Sequence, residues 1–198
     1  MNLVERAKNI MLSPKTEWEA VANEEPNTQQ ILVGYVLPLA LIPTIAVIIG
    51  WGVFGMFGYH SFSYGIALGL VQIINAFLSV LIAAFVIDAL APSFGSQKGF
   101  GRALQLVAYS MTPAWVGGIF SIFPAIGWLG SLIGLYGLYL LYLGVAPLMK
   151  TPEEKKVGYV IVSIIILIVV YFVIAAILTT ILLSVFGLSI LGAANLYN

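Results

Sequence analysis

The 198-residue chain is 61% apolar and 8% charged, where a soluble domain carries about 45–50% and about 25%, so its surface cannot be one built for water. Eight Lys and Arg balance eight Asp and Glu, and there is no cysteine; this excludes a net field for nucleic acid, a disulfide framework, a thiolate nucleophile and a Cys-based metal site. The charges fall in three clusters, Glu5 to Glu25, Asp88 to Arg102 and Lys150 to Lys156, separated by long apolar runs. This is the pattern of an all-α, polytopic membrane helix bundle.

Residues 1–30 are polar and mixed in charge, so they read as a cytoplasmic amphipathic segment and not as a signal peptide; the first span then acts as the insertion signal. Leu3, Ala7, Ile10 and Met11 share one helical face with Glu5, Lys8 and Asn9 elsewhere, which predicts a short helix lying on the membrane surface. Ser13 and Pro14 restart the chain as an N-cap followed by a first-turn proline, with Glu17 and Glu19 near the positive helix end. Trp18 and Val21 of this second piece are expected to anchor at the headgroup level.

Residues 31–198 form the expected transmembrane domain. A hydrocarbon core of about 30 Å needs about 20 apolar helical residues, and five runs meet that need: Ile31 to Phe54, Tyr64 to Leu90, Ala103 to Phe123, Ile126 to Leu148, and a fifth from Val157. The fifth run continues to Gly187, about 45 Å as straight helix, so it should tilt, protrude or break before Gly187, with Leu188 to Asn198 in the outer interface. Outside the spans, alternate segments hold three, two and three of the Lys and Arg, and the segments between hold none. All eight cations thus fall on one side, which predicts five spans with the N-terminus cytoplasmic and the C-terminus outside.

Catalytic parts are missing. Gly50, Gly52 and Gly55 match GxGxxG, but without the preceding strand, following helix and later acid that dinucleotide binding requires. His60 is the single histidine, so no zinc ligand set of the HExxH kind exists, and it reads as a loop residue. There is no GxSxG elbow and no P-loop. No enzymatic reaction, cofactor or metal is expected. Asp88 is the one acid inside a span; it precedes Pro92 at the cytoplasmic end, where it can reach water or pair with the candidates Lys98 or Arg102.

Uncharged polar groups give the best candidate site. Gln72, Asn75 and Ser79 of the second span recur at helical spacing, and Arg102, Gln105, Tyr109 and Thr112 form a stripe in the third. At about 1.5 Å per residue, Asn75 and Thr112 reach the midplane, as does Tyr136 of the fourth span. The six side chains Gln72, Asn75, Ser79, Tyr109, Thr112 and Tyr136 are therefore a candidate midplane cluster, either helix glue or a lined cavity, with Asn75 near Thr112 or Tyr109. Pro113 should kink the third span, and Pro38 and Pro43 the first. Gly65 with Gly69, Ala114 with Gly118, Gly130 with Gly134, and Ala176 with Thr180 and Ser184 are small-xxx-small pairs suited to close helix packing.

Ser13-Pro14 followed by Trp18, the stretch Ala108-Tyr109-Ser110-Met111-Thr112-Pro113, and Leu140-Leu141-Tyr142-Leu143-Gly144 running through Pro147 into a charged loop together resemble the Yip (Ypt-interacting protein) family. The resemblance covers nearly the whole chain from Ser13 and includes the five-span layout. It implies a scaffold or interaction partner for other membrane proteins or for itself, with a role in membrane organisation or trafficking. Eukaryotic members associate with Rab-type GTPases, but their Asp-Leu-Tyr-Gly-Pro motif is absent, so no Rab role is carried onto Asp88 or Pro92. The short N-terminal segment is similar to the prokaryotic branch and points to a prokaryotic cytoplasmic membrane. The alternative is a small transporter or channel using the midplane polar groups; in either case the bilayer is a partner and nucleic acid is not.

Overall fold

The computed structural model describes residues 2–185, which are helical apart from short connections. Helix α1 (Leu3–Leu12) begins where the Asn2 side chain accepts from the backbone N–H groups of Val4 and Glu5, the usual way an N-cap satisfies orphan donors. Helix α2 (Pro14–Ala22) follows after the single residue Ser13. Pro14 takes the first helical position as expected, but the Ser13 side chain makes no capping bond; its carbonyl instead accepts from Glu17.

The first span, α3 (Thr28–Phe54), absorbs two prolines without a break. A π-turn over Leu32–Val36 precedes Pro38, with the Leu37 N–H reaching back to the Leu32 carbonyl, and Pro43 lies inside the α-helical stretch Leu37–Ile49. The last turn, Gly50–Phe54, is again π, and Gly55 with φ +61° turns the chain. The GxGxxG match therefore closes a membrane helix, and His60 is exposed in the loop beyond it. Helix α4 (Phe62–Leu90) is capped by the Ser61 hydroxyl and runs for 29 residues, about 43 Å at about 1.5 Å each, well beyond a hydrocarbon core.

The expected third span is divided. Helix α5 (Phe100–Ser110) stops, Met111 intervenes, and α6 (Thr112–Gly117) continues into a 3-10 turn over Gly118–Ile122. Pro113 has no N–H for the Tyr109 carbonyl, and the Thr112 hydroxyl donates to that carbonyl instead at 2.7 Å. The proline thus breaks the helix more fully than a kink. Helix α7 (Trp128–Met149) returns across the bundle, and α8 (Glu153–Val185) is the fifth long element. Four of these helices are long and apolar enough to cross a membrane unbroken, and the α5–α6 rod runs beside them in two pieces. The expected break before Gly187 and the interfacial tail lie outside the described residues.

The small-residue pairs are used within the chain. A Cβ at Gly65 would stand 2.8 Å from the Ile48 carbonyl oxygen, and one at Gly130 would stand 2.6 Å from that of Gly117, so α4 closes on α3 and α7 on α6 at backbone contact. The exception is α8. Only 11% of its most apolar window is buried, against 33–44% for the other three unbroken spans.

Candidate functional site

The polar groups singled out in the sequence divide between two places. The first is the cradle that holds the N-terminal helices. Helices α1 and α2 form an antiparallel hairpin whose apolar sides are covered by protein: Ile10, Trp18 and Val21 are at most 1% exposed. This corrects the expectation of a surface-lying helix with Trp18 and Val21 at the headgroups. The physical reason is Gly144 on α7. A Cβ there would meet the Trp18 ring at 2.6 Å and Leu106 at 2.7 Å, so its absence leaves a notch that the indole fills.

Both arginines of the chain hold this hairpin. Arg6 on α1 is 5% exposed; it donates to the Glu17 carboxylate at 2.5 Å, pairs with Glu24, and sets its guanidinium 5.5 Å from the centre of the Tyr109 ring. Arg102 donates to the Val21 carbonyl at 3.0 Å and to Gln105. Guanidinium groups suit this work because they remain charged and offer several donors in a fixed plane. Tyr109 lies edge-on to Tyr35, whose hydroxyl is 2.6 Å from the Thr112 hydroxyl. Tyr136 reaches the hairpin tip, donating to the Met11 carbonyl at 3.0 Å. It stands about 20 Å along α7 from Met149, at about 1.5 Å per residue, so the hairpin penetrates deeply between α3, α5 and α7. Tyr109, Thr112 and Tyr136 therefore bind the N-terminal hairpin and its cradle.

The second place is a cleft of about 490 Å³ between α4, the α5–α6 rod, α7 and α8. Gln72, Asn75 and Ser79 line it from α4, and the Ser79 hydroxyl donates to the Asn75 amide oxygen at 3.0 Å. Ser110 and Met111, at the break in the rod, line the same cleft. Asn75 thus shares the cleft with Ser110, and the expected contact with Thr112 or Tyr109 does not form, because those two are turned toward Tyr35 and the hairpin.

Asp88 accepts from the Gly99 backbone N–H at 2.6 Å, so the ion pair expected with Lys98 or Arg102 does not form. Gly99 is the N-cap of α5 and lends no side chain; Asp88 satisfies one of the orphan donors there and complements the positive helix end. Arg102 is drawn instead to α2. Sequence reading missed Arg6, Tyr35 and Ser110. For Arg6 a signal existed: an arginine facing Glu17 and Glu24 across a one-residue Ser13 turn. For Tyr35 and Ser110 no periodicity marks them out.

A chain of long apolar helices packed at backbone contact, with Asn75, Gln105 and Thr112 buried among them, is a polytopic helical membrane protein. Its residues 8–177 match the family model of the Yip1 domain, and the chain belongs to that family. No curated protein matches it and no solved structure matches it.

Proposed function

We propose that this Yip1-domain protein is a non-enzymatic scaffold of a prokaryotic cytoplasmic membrane, which binds other membrane proteins or its own copies through α8. The carrying observation is the exposed row Ala176, Thr180 and Ser184 on that helix. Every other small-xxx-small pair noted in the sequence is spent on contacts inside the chain, whereas this one faces outward. The Thr180 hydroxyl donates to the Ala176 carbonyl and that of Ser184 to Ile181, so the row has no unmet polar demand in lipid and offers a smooth face for a second helix. A carrier or channel is less well supported, since three of the six midplane side chains are taken by the hairpin and its cradle and do not line the cleft.

The absence of cysteine makes the test direct. Single cysteines at Ala176 and Thr180 are expected to crosslink in native membranes to a partner chain, while a cysteine at Ser163, which is 2% exposed, stays unreacted. A chain that is monomeric in mild detergent and forms no adduct at Ala176 or Thr180 would overturn the reading.

A further inference from the structure

The cleft beside Asn75 has three properties that point to a ligand. Its volume of about 490 Å³ lies within the about 300–1,000 Å³ typical of small-molecule sites. It opens sideways, toward the hydrocarbon. Helices α7 and α8 touch near their short connection, where the Lys156 ammonium lies 4.4 Å from the centre of the Tyr142 ring; farther along, Leu135 and Leu138 of α7 and Ile168 and Phe172 of α8 line the cleft and are all exposed. Its floor holds hydrogen-bond donors without acceptors. Ser110 is 5% exposed and its hydroxyl has no partner. Asn75 is 3% exposed, and its amide oxygen is occupied by Ser79, which leaves its Nδ2 without a protein acceptor among the described residues.

A buried donor without an acceptor is costly in a medium of low polarity, and a serine in a helix normally returns its hydroxyl to its own backbone. Ser110 does not. No Lys, Arg, His, Asp or Glu lines the cleft, so a phosphate or carboxylate head would find no counter-charge there. We propose that this cleft binds a neutral lipid that carries a carbonyl oxygen, with the Asn75 Nδ2 and the Ser110 hydroxyl as donors to that oxygen and the chain leaving between α7 and α8. An uncharged carbonyl can sit at this depth, whereas the head of a phospholipid is held at the interface by its charge. The proposal does not rest on the α8 scaffold face: Ala176, Thr180 and Ser184 lie farther along that helix and none of them lines the cleft.

The full chain, purified in mild detergent, is titrated by native mass spectrometry with dioleoylglycerol, with decylubiquinone and with dioleoylphosphatidylglycerol. The expected result is one-to-one retention of at least one of the two neutral carbonyl lipids in preference to the anionic lipid; which of them binds separates an ester carbonyl from a ring carbonyl. Asn75→Leu and Ser110→Ala should each weaken retention about tenfold, the loss of one buried hydrogen bond, with little change in Tm. Ser131→Phe, at an exposed position of the cleft wall, should block binding without touching the donors and covers the case in which Asn75→Leu fails to fold. Retention of neither neutral lipid, equal retention of phosphatidylglycerol, or folded variants that bind as the parent does would each overturn the proposal.

Discussion

Arg6 has to give up water to lie against Tyr109, and two carboxylates of unequal burial compensate it: the side chain of Glu17 is 13% exposed and that of Glu24 is 44% exposed. The two pairs therefore differ in worth. An exposed ion pair contributes about 0–1 kcal/mol, so Glu24→Gln should have a small effect. Removing the charge of Arg6 leaves Glu17 buried without a partner, a change that costs about 3–5 kcal/mol when a buried pair is broken. Arg6→Met is expected to release the hairpin: amide exchange over residues 3–22 should rise to the level of an open segment while the long spans stay protected. Equal exchange in both variants would mean that Trp18 in its Gly144 notch holds the hairpin without the arginine. At this scale the sequence was partly legible. The polarity stripe of Leu3, Ala7, Ile10 and Met11 correctly marks the side of α1 that is covered, but an apolar stripe has the same signature whether it meets lipid or protein. What decides between them is a vacancy on a distant helix, Gly144, which no local pattern in residues 1–30 contains.

Among the elements, the α5–α6 rod differs most from its sequence expectation, and the cause lies in one carbonyl. Pro113 removes the donor that the Tyr109 carbonyl would have had. Thr112 replaces it, and the same hydroxyl meets Tyr35 from α3. Thr112→Val removes both contacts at a fully buried position; at about 1–3 kcal/mol for a buried group left unsatisfied, the loss should be readily measured as a fall in Tm. Adding Pro113→Ala to that variant returns an N–H to the backbone, so the double variant should be more stable than Thr112→Val alone, whereas Pro113→Ala in the parent should change stability little. Such non-additivity is the mark of two groups that serve one acceptor; strictly additive effects would show that Thr112 does not replace the missing donor. The proline itself was visible in the sequence, and so was the bend. That the bend becomes a full interruption, with Ser110 at the lining of a cleft on one side and Thr112 committed to α3 on the other, follows from which neighbours stand at that level. Neighbours come from helix pairing, to which hydropathy and charge counts are blind.

On the scale of the whole molecule, charge placement makes the sharpest statement, because it can be tested without any assumption about function. Gln97 donates its backbone N–H to the Met149 carbonyl, and the Ser96 hydroxyl donates to Thr151, which ties the connections with Lys98 and Lys150, and the first turns of α5 and α8 with Arg102, Lys155 and Lys156, into one cationic end. The loop around His60 lies at the other end of α4, among the aromatic rings of Trp51, Tyr59 and Tyr64, a composition suited to a membrane interface. If cations remain on the cytoplasmic side, reagents that cannot cross the membrane should find the His60 loop from outside and the cationic end only after the cell is opened. The positions for this test follow from the fold. Ser96 is buried and Ser61 caps α4, so cysteine at either would report on access or stability in place of sidedness. Ser63 and Ser93 are exposed, and in a chain with no cysteine of its own each gives a single label. Ser63→Cys is expected to react with a membrane-impermeant maleimide in intact cells, and Ser93→Cys only after permeabilisation. The reverse pattern would invert the protein in its membrane, and labelling of both in intact cells would rule out the threading that the eight cations imply.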